Sequence, residues 1–129
     1  MTRPARACIT LPALQHKFRR VRQSAPQSRV MAIIKANAYG HGLVRAAQAM
    51  HAADAFGVAS PEEGVALRET GFDRRIVLLE GIFTPEDIAL VGGYRLDVVV
   101  HHVSQLDMLE HSHPARPIDV WLKLDTGMN

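Results

Sequence analysis

Lys35 follows directly on five apolar residues, Val30, Met31, Ala32, Ile33 and Ile34. An unbroken apolar run of that length reads as a strand buried on both faces. An ammonium at the end of such a strand is costly to desolvate, and lysine is almost never fully buried without a partner. Desolvation favours the neutral amine, which is a nucleophile. Its chemistry is imine formation with a carbonyl compound, and afterwards proton transfer by the freed amine. The competing reading is a lysine whose stem lies on apolar surface while its head reaches water. The context favours chemistry, because Tyr39, Gly40, His41 and Gly42 follow at once as a polar loop that permits close approach.

Tyr39 carries a phenol that can donate to a phosphate oxygen; its alternative is a ring half-buried beneath the loop with its hydroxyl in water. Gly40 and Gly42 are expected to allow positive φ or close backbone approach. Asn37 is expected to bond backbone groups, and His41 to order the loop. The Gly40-x-Gly42 pair is no dinucleotide fingerprint, since Arg45 stands where a third small residue is needed. Nor is it a phosphate-binding P-loop, because the lysine precedes the glycines. Lys123 is the second unusual amine. Strand alternation over residues 120–124 places Trp121, Lys123 and Asp125 on one face, as it places Ile33 with Lys35. The simpler reading is a Lys123–Asp125 surface pair, which contributes little. His101, His102, His111 and His113 have no companion cysteine or carboxylate at metal-ligand spacing, so no metal is expected. No nucleophile elbow is present.

The elements that must position these groups alternate. A short strand is expected over residues 7–10. An amphipathic helix follows over 11–24, with Leu11, Leu14, Phe18 and Val21 on one side. Strands are expected over 30–35, 54–59, 75–79, 96–100 and 118–124. Between them lie helices over 43–53, from Ser60 to about 70, from Thr84-Pro85 to Val91, and over 103–110. Ser60-Pro61-Glu62-Glu63 has the pattern of a capped helix start, which accounts for both glutamates. Gly92-Gly93 is expected to end the fourth helix. Five alternations with short connections call for a parallel sheet covered by helices. An open doubly wound sheet and a barrel both fit that pattern.

The chain has 129 residues, 47% apolar and 22% charged, with a net charge of +2, as in globular proteins. Arg19, Arg20 and Arg22 form the densest basic cluster. Without interleaved aromatics it reads as a solvated helix face, and nucleic-acid binding is not expected. No apolar stretch approaches the roughly 20 residues that span a bilayer. The basic start, residues 1–8, leads into no apolar core, so no signal peptide is expected. Cys8 is the only cysteine, which excludes a disulfide within the chain and suits a reducing cytoplasm.

The stretch Ile34-Lys35-Ala36-Asn37-Ala38-Tyr39-Gly40-His41-Gly42 resembles, residue for residue, the signature of the pyridoxal-phosphate-dependent alanine racemases. Residues 123–129, Lys-Leu-Asp-Thr-Gly-Met-Asn, resemble a second motif of that family cut in its middle. The resemblance implies a (β/α)8 TIM-type barrel, of which this chain holds about the first five β/α units. Residues 1–129 would be the N-terminal part of the cofactor-binding barrel, with the family's C-terminal β domain absent. It implies interconversion of L- and D-alanine by removal and return of the α-proton, in D-alanine metabolism. Lys35 would hold pyridoxal 5'-phosphate as a Schiff base and act as one base. Tyr39 would bond the phosphate, and Leu79 would pack against the cofactor. The lysine matching Lys123 is often carbamylated in the family, where it orients a downstream arginine. The other base would be a tyrosine of the β domain, supplied across a homodimer interface. A bare Lys-Ala-Asn would also suit another barrel enzyme, an amino-acid decarboxylase or a broad-specificity racemase, or a non-catalytic carrier of the cofactor.

Overall fold

The computed structural model describes residues 4–128; residues 1–3 of the basic start and Asn129, the last residue of the second motif, lie outside it. Helix α1 (Leu11–Ser24) precedes strand β1 (Met31–Ile33) and a single turn, α2 (Lys35–Tyr39). Then come α3 (Leu43–Ala49), β2 (Ala55–Val58), α4 (Pro61–Glu69), β3 (Arg75–Leu78), α5 (Asp87–Tyr94), β4 (Asp97–Val100), α6 (Val103–Glu110) and β5 (Val120–Leu122). All strand pairs are parallel, and the spatial order is β1-β2-β3-β4-β5.

That order decides between the two architectures. A doubly wound sheet reverses its strand order and carries helices on both faces. Here the order never reverses, and one face alone is packed by helices. Ala32 and Ile34, Phe56 and Val58, Ile76 and Leu78, and Val98 and Val100 alternate onto that face. They meet Ala46 and Ala47 of α3, Leu67 of α4, and Ile88 and Val91 of α5. Phe56, Leu67, Ile76 and Leu78 are fully buried there, and each contributes about 1.5–3 kcal/mol by leaving water. Phe72 stacks edge-on against Phe56, with ring centroids 5.5 Å apart. The opposite face is the barrel interior, where Ile33 and Trp121 remain 40% and 42% exposed. The fold is four complete β/α units and a fifth strand of a TIM-type barrel, with β1 and β5 as open edges among the described residues.

Several local expectations are corrected. Residues 7–10 form no strand and are exposed, since the sheet begins at β1 and offers them no neighbour to pair with. Helix α5 does not stop at Gly92-Gly93 but runs to Tyr94 and ends at Arg95 in the left-handed region, φ 54°. Burial of Ile88 and Val91 on the sheet offsets the poor helix propensity of two glycines, roughly 1 kcal/mol each. The Thr84 side chain does not cap α5; Asp87 turns back and accepts from the Phe83 and Thr84 N–H groups at 2.8 and 3.0 Å. Ser60 makes no side-chain cap bond either.

Two charged side chains fasten the base of the sheet. Arg68 donates to the carbonyls of Tyr94, Phe72, Arg74 and Arg95 at 2.6–2.8 Å. Burial lowers its pKa, yet a guanidinium stays charged at any ordinary pH. Asp54 accepts from the Val30 N–H at 2.7 Å and from Arg22 of α1 at 2.8 Å, so it ties α1 to the start of β1.

The Val30 N–H first, and Arg22 next, hold the Asp54 carboxyl below its usual pKa. A carboxyl with a depressed folded pKa stabilises the fold above its unfolded pKa of about 3.9, and that stability is lost as pH falls through the folded value. Asp54→Asn is therefore expected to flatten the loss of stability on acidification below about pH 4. Urea melts of the two chains across that range check this.

Candidate active site at the C-terminal rim of the sheet

Lys35, Leu79 and Lys123 each stand just beyond the C-terminal end of a strand: β1, β3 and β5. Parallel α/β folds keep their chemistry at this rim. The backbone after Lys35 is the unusual part. Ala36, Asn37, Ala38 and Tyr39 all have positive φ, between 52° and 55°. A left-handed helical conformation costs roughly 1–2 kcal/mol per L-residue, so four in succession store about 4–8 kcal/mol. Small side chains at 36 and 38 and an asparagine at 37 keep that cost at its low end. Gly40 and Gly42 continue at φ 85° and 94° without penalty.

Hydrogen bonds hold the turn. Gly40 N–H donates to the Asn37 carbonyl at 3.1 Å, His41 N–H to Ala38 at 3.0 Å, and Gly42 N–H to Asn37 at 2.9 Å. The Asn37 side-chain oxygen accepts from the Leu43 N–H at 2.8 Å and so caps α3. The His41 ring nitrogen Nδ1 lies 2.9 Å from the Ala38 carbonyl. Asn37 and His41 thus bond backbone, as their types suggested. Ala38 is buried beneath the turn, whereas Tyr39 is 60% exposed, its ring reaching out from the rim and not tucked under the loop.

Lys35 is half-buried, not fully buried as its apolar run suggested. The cause is the open interior of the barrel, together with the bend at Ile34 (φ −127°, ψ 23°), which ends the extended run one residue before the lysine. The Lys35 side-chain amine has no ion-pair or hydrogen-bond partner among the described residues, and no side-chain bond joins it to Tyr39 or Lys123. Leu79 is half-buried and meets Ile33 over Gly57: a Cβ on Gly57 would stand 2.7 Å from Ile33 Cδ1 and 3.2 Å from Leu79 Cδ1. Glycine at 57 leaves the space these two apolar side chains fill on the inner face. Lys123 lies 3.8 Å from the Asp125 carboxylate, both partly exposed. Trp121 does not point with Lys123 to the rim but donates from its indole N–H to Asp97 at 2.8 Å, beside Arg75.

Two rim residues escaped the sequence. Glu63 accepts from the Asn37 N–H with one oxygen and from the Ala59 N–H with the other, both at 2.9 Å. Its position in a capping pattern explained it too readily. Gln105 is buried; it donates to the Glu80 carbonyl at 2.9 Å and accepts from the His101 N–H at 2.9 Å. It ties the loop after β3 to the loop after β4. Gly81 allows this, since a Cβ there would lie 2.3 Å from the Val99 carbonyl oxygen, and its φ is 76°.

The donor set is an uncommitted amine, an exposed phenol four residues on, and an apolar floor of Ile33 and Leu79. By their chemistry an amine, a phenol and apolar side chains suit an aromatic aldehyde carrying a phosphate. Among the described residues no cluster could hold a metal ion.

Known proteins resemble the chain over nearly its whole described length. Residues 9–129 match the family model described as alanine racemase, N-terminal domain. The chain is 50% identical over 124 residues to the alanine racemase of Shewanella loihica, covering 96% of this chain and 35% of the relative. It is 49% identical to that of Shewanella baltica over the same shares. Among solved structures, the biosynthetic alanine racemase of Pseudomonas aeruginosa is similar at a TM-score of 0.87 and 41% identity, over 92% of this chain and 33% of that one. The alanine racemase of Acinetobacter baumannii is similar at 0.85 and 39%, over 94% and 35%. The chain thus spans about a third of the length of the relatives it matches.

Asn37→Ala removes the cap on Leu43 and sets alanine at positive φ, and should lower stability by about 1–2 kcal/mol. Gly81→Ala combines positive φ with a backbone clash and should cost about 3 kcal/mol or more. Urea denaturation midpoints at constant m-value measure both.

Proposed function

The chain belongs to the alanine racemase family through its N-terminal domain, and on that premise we propose that residues 1–129 are the lysine-bearing part of the cofactor-binding barrel of an enzyme interconverting L- and D-alanine. The observation that carries this reading is Lys35, a half-buried amine without a partner at the catalytic rim, followed by a left-handed turn that presents Tyr39. The family depends on pyridoxal phosphate, which supplies an aldehyde for the lysine and a ring that spreads the charge left by a departing α-proton. Lys35 anchors the cofactor and, once its nitrogen is released, takes or returns the α-proton on one face of alanine. Tyr39 donates its phenolic hydrogen to the phosphate, and Leu79 gives the ring an apolar support. Lys123, if carbamylated, becomes an anion at the rim in place of a cation. Racemisation needs a second base on the opposite face of the α-carbon, which in this reading comes from a C-terminal β domain across a homodimer. We further infer a cytoplasmic enzyme of small-molecule metabolism with no nucleic-acid partner. No helix among the described residues is long and apolar enough to cross a membrane.

Incubation with pyridoxal phosphate followed by borohydride should leave a stable label on Lys35, located by peptide mass spectrometry. Lys35→Ala should abolish that label. Tyr39→Phe should raise the half-saturating cofactor concentration about tenfold, as expected for one hydrogen bond to a charged group. A label on Lys123 or on the amino terminus in place of Lys35 would contradict the assignment.

A further inference from the structure

We propose that Glu63 is a positioning residue for Lys35: its carboxylate, bridging Asn37 and Ala59, holds the turn after the lysine in its left-handed form. This rests on the reading of Lys35 as the cofactor anchor. Most bonds that maintain the turn are local, running within residues 34–43. A local set of that kind can relax together with the turn it encloses. The bond from the Asn37 N–H to Glu63 is different. Among the described residues it is the one hydrogen bond from the turn beyond Lys35 that reaches the second β/α unit.

Glu63 is well placed for this. It lies in the first turn of α4, half-buried, on a helix that starts immediately beyond β2. Its other oxygen is fixed by the Ala59 N–H, at the end of the strand that pairs with β1. One carboxylate therefore couples the C-terminal end of β2 to the second residue after the lysine. Ile34 is already held to β2, its N–H donating to the Gly57 carbonyl at 2.9 Å. Lys35 sits between these two attachments, with β2 the common reference for both. The requirement is for two acceptors. An amide at position 63 has a single acceptor oxygen, and its NH2 would face one of the two N–H donors. Glutamine should thus break one half of the bridge without changing size.

The strain supplies a specific rescue. If Glu63 acts by opposing relaxation of the turn, then lowering the intrinsic cost of the left-handed form should replace it. Glycine adopts positive φ readily, and Ala36 is exposed at φ 52°, so Ala36→Gly removes strain with little loss of packing.

The test measures borohydride-trapped label on Lys35 against pyridoxal phosphate concentration, in the full chain and in Glu63→Gln, Glu62→Gln and Glu63→Gln/Ala36→Gly. Amide hydrogen exchange at Asn37 and Ala59 is measured without cofactor. Glu63→Gln should raise half-saturation about tenfold, Glu62→Gln should leave it unchanged, and the double variant should recover most of the loss. Both amides should be protected in the unaltered chain. Unchanged half-saturation in Glu63→Gln, or loss with no recovery by glycine, overturns the positioning role while leaving Lys35 as anchor. An unprotected Asn37 amide in the unaltered chain overturns it even if Glu63→Gln does not fold. No label on Lys35 in the unaltered chain, with both amides protected, overturns the anchor itself and with it any role of Glu63 toward it.

Discussion

Four consecutive L-residues in the left-handed region are a standing demand on the rest of the structure. A right-handed turn would be cheaper by several kcal/mol, so the turn persists only because its surroundings over-determine it. The surroundings are specific: Asn37 caps α3, His41 closes on Ala38, and Glu63 grips Asn37 from the next unit. The consequence is directional. A strand that ends in a left-handed turn stops its extended run at Ile34 and leaves the next side chain, Lys35, at the rim without being drawn into a helix that would cover it. Strain at this point is in keeping with the general concentration of backbone strain at sites of chemistry.

The sheet supplies the rigid frame. Its helix-covered face is packed without a polar side chain in its central rows, from Ala32 to Val100. The interior face is different in kind, with a glycine, two half-exposed apolar side chains and a buried Asp97 that accepts from Trp121 and Arg75. The two ends of that face also differ. The base is knitted by carbonyls and guanidiniums, through Arg68 and Arg75. The rim carries the groups proposed to react and is braced by Gln105 and Glu63, each joining two successive loops. The knitted base and the proposed site are thus separated along the strand axis, as in barrels generally.

Much of this was legible in the residues themselves. Periodicity located five strands and the main helices, because apolar runs of β-branched residues and three- or four-residue spacing reflect burial directly. The lysine was visible because an amine after five apolar residues is anomalous. What the sequence hid was conformation and cross-chain bonding. Nothing in Ala36-Asn37-Ala38-Tyr39 demands positive φ, since three of the four are ordinary L-residues in a loop. Glu63 was hidden because a helix cap was a sufficient local explanation. Residues 7–10 looked like a strand because propensity is local, whereas pairing needs a neighbour. The glycines of α5 looked like a stop signal, yet burial of Ile88 and Val91 carried the helix past them.

The central claim is that Lys35 is held at the rim by a left-handed turn and uses its nitrogen to bond a carbonyl cofactor. A crystal structure of the chain after borohydride reduction with pyridoxal phosphate tests it most directly. The account requires continuous electron density from Lys35 Nζ into the cofactor ring, with residues 36–39 still at positive φ and the Tyr39 hydroxyl on the phosphate. Density joined to Lys123, or a turn relaxed to right-handed or extended backbone while Lys35 carries the ring, would contradict it.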